Sequence, residues 1–338
     1  MTFSEFIEQV KGQIADYLPE EYAEADITVL ETIKNNDQKV NSLCIKRPED
    51  RAVPNIYLND FYRAHQEGLE MDEIFSSISR IYQEGMAESA QWQDFHLGDF
   101  ESIKDLLYVV VLNQGSNQEY LKDIVHKDIP DTDITAVLRV LCDKENENGN
   151  ASFIVQESML EKWGVAGEDL FDLALKNTER LFPPKLQSVE SLLFLHEDEN
   201  ILGEKLEPYE QYMFTNDVKV HGAAVMLYPG LLQKIGEATQ GNFFILPSSI
   251  HETILIRDNG EMSAEEFQHM VMEVNRTHVM PEEVLSDEVY KYDFREQKLV
   301  MATDPVQTKA YLEQMAVEQE CEDAMEDMEE AEFGEMEQ

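Results

Sequence analysis

The longest unbroken apolar run in the chain is Leu106 to Leu112, and Gly222 to Leu227 is the next comparable one. A membrane span needs about 18–20 consecutive apolar residues. The chain must therefore build its core from short strands stacked on amphipathic helices. Apolar residues make up 43% of it, with 16 Phe and 13 Tyr, enough for a sizeable core. Its 338 residues suggest two domains, or one large domain with an appendage. The expected class is α+β. An N-terminal α+β unit spans residues 1–95, a larger α+β unit spans 96–303, and 304–338 form a helical or disordered acidic tail.

The local signals support this class. Thr2 and Glu5 have the spacing of a capping box. Phe3, Phe6, Ile7, Val10, Ile14 and Tyr17 follow at helical period, until Pro19 stops the helix. Ile27 to Ile33 and Val40 to Ile45 read as a hairpin around Asn35-Asn36-Asp37. Val53 to Leu58 reads as a third strand. A helix from about Asp72 places Ile74, Phe75, Ile78, Ile81 and Tyr82 on one face, and the unit boundary falls near Trp92 to Asp99. Leu106 to Leu112 suits a buried strand. Ile134 to Cys142 and Ala151 to Val155 suit a hairpin over the polar link Asp143 to Asn150. Helices are expected at Met159 to Trp163 and Glu168 to Leu181, the second ended by Pro183-Pro184.

Further on, Ala223 to Tyr228 reads as a buried strand. A helix then starts with Pro229 in its first turn, turns Leu231, Leu232 and Ile235 inward, and ends near Gly236. Phe243 to Leu246 and Thr253 to Ile256 read as strands of undetermined direction. A second capping box, Ser263 and Glu266, opens a helix with the stripe Phe267, Met270, Val271 and Val274.

The formal net charge is −44. A chain this acidic is repelled by nucleic acid and anionic membranes and favours basic protein partners. Cys44, Cys142 and Cys321 are far apart, with no metal-ligand spacing, and Cys44 and Cys142 are expected in the core. Reduced thiols, and a start without a basic and apolar leader, lead us to expect a cytoplasmic protein.

Phosphate-binding glycine motifs are absent. His196-Glu197 and His251-Glu252 begin like HExxH, but Asn200 and Leu255 stand where the second histidine belongs. No metal and no cofactor is expected. The densest polar chemistry is Ser248, Ser249, His251 and Glu252 after Pro247. As a catalytic set, Ser249, His251 and Glu252 would make a hydrolase. As a structural turn, the hydroxyls would satisfy loop amides and His251 would be a hydrogen-bonded buried residue. Asn216 and His221 could join Ser248, Ser249 and His251 on the rim of a pocket.

Residues 313–338 hold 12 acids and no Lys or Arg, and Val317, Cys321, Ala324, Met328 and Ala331 are spaced 4, 3, 4, 3. That is a seam of about two heptads. It is compatible with a solvated tail or with a helix that docks on a groove with a basic rim.

The strings Tyr212 to Asn216, Gly222 to Gly230 and Phe244 to Glu252 resemble an uncharacterised family of bacterial proteins, as does the pairing of Trp163-Gly164-Val165 with Ala174 to Thr178. The family is a domain of unknown function common in anaerobic gut bacteria, and the likeness covers about residues 1–300. It implies a bacterial cytoplasmic protein and brings no activity or site residue. The expected function is a non-catalytic binding or regulatory protein. The Ser249/His251 hydrolase is the alternative, and an acidic nucleic-acid mimic is the third reading.

Overall fold

The structure, a computed structural model, describes residues 1–50, 53–89, 99–143, 151–193, 200–207, 210–247 and 249–312. Ser248, His196-Glu197, most of the expected boundary and of the polar link, and the seam Val317, Cys321, Ala324, Met328 and Ala331 lie outside the described residues. The protein is mixed α+β. Its contacts group into two units, one of residues 1–127 and 137–181, the other of 128–136 and 182–338.

The first unit opens with α1 (Phe3–Gln13), closed at its N-terminus by the reciprocal Thr2–Glu5 capping box. Strands β1 (Asp26–Ile33) and β2 (Lys39–Lys46) pair antiparallel over eight registered positions. Their turn uses Asn36 at φ 59° and Asp37 at φ 51°. Asn and Asp tolerate this left-handed region, which is why the pair reads as a turn. Only Ile56–Tyr57 of the expected third strand is extended, as β3, and Leu58 begins α2 (Leu58–Gln66). Helix α3 (Met71–Ser89) buries Ile74, Phe75, Ile78 and Tyr82 against Leu43, Ile45, Phe6 and Val10. Ile81, expected on that face, is exposed. Cys44 is half-buried rather than core, as is Cys142.

After the short helix α4 (Phe100–Ile103) comes β4 (Leu107–Asn113), buried along nearly its whole length. With β5 (His126–Asp128), β6 (Ile134–Asp143) and β7 (Ala151–Ile154) it forms a second sheet, in which β6 pairs with the other three. The β6–β7 pair is the expected hairpin. Helices α5 (Glu157–Trp163) and α6 (Gly167–Leu181) follow. Thr178 on α6 accepts the Val109 N–H at 2.9 Å and so satisfies a donor of β4.

The second unit is built on a six-stranded antiparallel sheet. Its strands are β8 (Pro184–Ser188), which leads into α7 (Val189–Leu193), then β9 (Gln211–Asn216), β10 (Phe243–Pro247), β11 (Thr253–Arg257), β12 (Tyr290–Asp293) and β13 (Lys298–Met301). Their spatial order is β13-β12-β10-β11-β9-β8. Where a strand was expected over Ala223 to Tyr228, residues Gly222–Leu227 form a largely buried 3₁₀ helix instead. A short, fully apolar run carries no period to distinguish the two. The helix after it, α8 (Leu231–Thr239), buries Leu231, Leu232 and Ile235 as expected. It starts after Gly230 rather than at Pro229. It also runs past Gly236, whose missing Cβ leaves room for Phe294 and Tyr292.

Helix α9 (Ala264–His278) carries the second capping box. It lies on the sheet face made by Phe244, Leu246 and Ile256, with Phe267 and Val271 inserted. Among the described residues no helix is long and apolar enough to cross a membrane.

Candidate functional site

Two features of the second unit bear on function. The first is the loop at the end of β10. Gly222 is seated against Thr215 and the His251 backbone, and a Cβ there would lie 2.0 Å from Thr215 Oγ1 and 2.3 Å from the His251 carbonyl oxygen. This contact brings His221 over His251, with ring centroids 5.5 Å apart and planes 26° from parallel. His221 itself sits at φ 50°. The structure thus brings together Asn216, His221, Ser249 and His251. Glu283, about thirty residues on, joins them without any local sequence signal. It packs there because its carbonyl accepts the Ile250 N–H at 2.8 Å.

The hydrogen bonds determine what the cluster can do. The His221 backbone N–H donates to His251 Nδ1 at 3.1 Å. That nitrogen therefore holds a lone pair, and the proton of the neutral ring is on Nε2, 3.4 Å from Glu283 Oε1. Ser249, only 8% exposed, accepts the His251 backbone N–H on Oγ at 3.0 Å, and its own N–H donates to the Glu252 carbonyl at 3.1 Å. Thr215 Oγ1 donates to the His251 carbonyl at 2.8 Å. A serine nucleophile needs an imidazole lone pair aimed at its hydroxyl. Here the lone pair is taken by a backbone amide, and the hydroxyl is turned to a different one. As they stand, these groups fasten a turn. Among the described residues, no group of three or more His, Cys, Asp or Glu is placed to hold a metal ion.

The second feature lies beside α9. The expected stripe splits: Phe267 and Val271 are buried, while Met270 and Val274 are 46% and 39% exposed. Those two line an open groove of about 210 Å³ with Val271 and, from the sheet, Leu246, Ile254, Ile256 and the polar Gln211 at its edge. Glu266 and Glu273, both exposed, stand one turn either side of Met270 on the same flank of the helix. The groove is apolar in its floor and acidic along its helical lip. The stripe was visible in the sequence, but its division into a buried and an open half depends on how α9 is rolled on the sheet.

Beneath α9, Glu288 is buried and accepts hydrogen bonds from Gln268 Nε2, at 2.9 Å, and from Thr303. Burial holds its carboxyl above the usual range, against the opposing hydrogen bonds from Thr303 and Thr308. Asp133 accepts from Ser286 Oγ and Tyr290 OH at 2.7 and 2.6 Å. These groups fix the floor on which α9 rests.

Comparison with known proteins gives one match. Residues 3–294 fit the profile of a family of unknown function, DUF5688. No curated protein and no solved structure matches the chain.

Proposed function

The chain belongs to the DUF5688 family, and from its own geometry we propose that it is a non-catalytic binding protein of the bacterial cytoplasm whose groove beside α9 receives a basic amphipathic helix of a partner protein. The open apolar groove carries this reading. A chain of net charge −44 that leaves Met270 uncovered between Glu266 and Glu273, with Val274 exposed one turn on, presents apolar contact beside acidic side chains. Helix-in-groove recognition uses that combination, with apolar anchors at i, i+3/i+4 and i+7 on the guest. Opposite charge on the guest speeds and orients docking. The acidic segment 313–338 adds attraction for the same basic partner, and its apolar seam would be a second contact.

The test uses the full chain and two labelled peptides of identical Leu and Lys composition. One is patterned as an amphipathic helix and the other is scrambled. Fluorescence anisotropy should show the patterned peptide binding at least tenfold more tightly. Met270→Glu and Val274→Glu should each weaken it by about tenfold or more, given about 1–2 kcal/mol for each apolar anchor, while melting with the wild type. Equal binding of the two peptides, or indifference to Met270→Glu, refutes the reading.

A further inference from the structure

Several sheet margins in this chain are closed by other parts of it. At β13 the Met301 N–H donates to the Asp131 carbonyl at 2.8 Å. At β8 the Leu186 N–H donates to Asn200 Oδ1 at 3.1 Å, and the Leu186 carbonyl accepts the Ile201 N–H at 2.9 Å. At β4 the Val109 N–H goes to Thr178. Strand β1 forms a margin of the β1–β2–β3 sheet, and there no described residue does the same.

The register shows which groups are open. The Lys34 N–H donates to the Gln38 carbonyl at 2.8 Å, so this pair continues the β1–β2 ladder as a bonded pair. Bonded and unbonded pairs alternate in an antiparallel ladder. Thr32, Leu30 and Thr28 therefore turn their N–H and C=O groups to β2, while Ile33, Glu31, Val29 and Ile27 turn theirs outward. Asn41, opposite Glu31, agrees, because its N–H points away from β1 to Asn59 Oδ1 at 2.8 Å. Apart from the ladder to β2, no backbone group of Asp26–Ile33 bonds a described residue.

Soluble proteins blunt such edges with Lys, Pro, bulges or very short strands. Strand β1 runs for eight residues in unbroken register without Lys, Pro or Gly, and each of its residues is at least partly exposed. Leu30, near its middle, is 57% exposed. The charge of Glu31 is met by Lys39 of the same hairpin at 3.1 Å.

The strand is also complementary to itself. Laid antiparallel on a second copy about a two-fold axis at Leu30, the outward groups of Ile27 meet those of the partner's Ile33, and those of Val29 meet the partner's Glu31. Asp26 then stands opposite the partner's Lys34, Thr28 opposite the partner's Thr32, and Leu30 opposite the partner's Leu30. Opposite charges are paired, and each exposed Leu30 is covered by the other. An axis at Glu31 would oppose two glutamates, which is destabilising. An axis at Val29 would place Ile33 opposite Ala25, beyond the strand. A contact of this isologous kind closes at two copies.

We propose that two copies of the chain join edge to edge through β1, forming one sheet that continues across the two-fold axis. Sedimentation velocity of the full chain should show a dimer between about 1 and 100 μM. Each copy carries −44, so added salt should tighten the dimer by screening their repulsion. Leu30→Lys breaks no hydrogen bond of its side chain and sets two ammonium groups at the axis. It should melt with the wild type and weaken dimerisation at least about tenfold. In a background with Cys44, Cys142 and Cys321 changed to serine, Leu30→Cys should form an interchain disulfide on mild oxidation, since the Cα atoms of an unbonded antiparallel pair lie about 4.5 Å apart. Glu31→Cys, offset from its own copy, should not. If the serine background does not fold, Leu30→Lys decides the matter. A chain that stays monomeric to about 100 μM, a dimer indifferent to Leu30→Lys, or cross-linking of Glu31→Cys equal to that of Leu30→Cys overturns the assignment.

Discussion

Replacing Gly222 by alanine tests whether the loop that joins His221, Ser249 and His251 is a structural lock. The added Cβ would lie 2.0 Å from Thr215 Oγ1 and 2.3 Å from the His251 carbonyl oxygen, where ordinary contacts are well over 3 Å. Neither neighbour can yield cheaply. Thr215 is fully buried next to Phe214, which is registered with Thr253 on β11, and the His251 carbonyl belongs to the turn itself. Overpacking of this kind destabilises by about 1–3 kcal/mol. Wedging apart the Thr215–His251 hydrogen bond adds about 1 kcal/mol. A loss of about 2–4 kcal/mol corresponds to a fall in melting temperature of roughly 5–15 °C for a unit of this size. Gly12→Ala is the control. Nothing lies within 4 Å of that Cβ, and alanine in a helix is favoured by about 0.5–1 kcal/mol over glycine, so the control should melt at or above wild type. Thermal denaturation followed by circular dichroism reads both. A Gly222→Ala protein that melts within about 1 °C of wild type would refute the packing argument, and with it the reading of this loop as a fastened turn.

Two further outcomes follow from buried carboxylates. Burial raises the folded-state pKa of Glu288, so the folded protein holds that proton more tightly than the unfolded chain does. Stability from this residue therefore falls as pH rises from the unfolded glutamate value, about 4.3, through the folded one. Glu288→Gln should flatten that slope in denaturant melts between pH 5 and pH 8, and an unchanged slope would count against the desolvation account. Asp50 is the opposite case. The Arg47 guanidinium, donating to its carboxylate at 2.9 Å, holds it below the usual range, so its stabilisation is present above the unfolded aspartate pKa, about 3.9, and is lost as pH falls through the folded value. Asp50→Asn should cost about 1.5–3 kcal/mol at neutral pH. In denaturant melts the gap to wild type should close on acidification, and a gap independent of pH would exclude this ion pair as its source.

The parts of the fold legible in the sequence are those governed by neighbouring residues. Both capping boxes, the turn at Asn36-Asp37 and the paired runs on β10 and β11 are local agreements of hydrogen-bonding chemistry and period, and each forms where the residues call for it. The segments that differ are those where local signals are silent. Residues 222–227 are apolar throughout, and the close approach of Gly222 to Thr215 and His251, a tertiary fact, accompanies a 3₁₀ turn instead of a strand. Leu58 continues an apolar run, yet it starts a helix because its side chain joins the core beneath β2. In the candidate site, His221, Ser249 and His251 were visible as chemistry. Their hydrogen-bond directions were not, because those depend on Glu283 and Thr215, which are remote in sequence.

The docking surface proposed beside α9 lies in a strongly acidic chain, and this constrains how a partner would reach it. The field of a −44 protein would draw a basic helix toward the acidic lip of the α9 groove. Salt screens the long-range part over about 10 Å at 0.1 M but leaves half-buried contacts largely intact. Rising salt therefore weakens the attraction that brings a basic helix to Met270 and Val274.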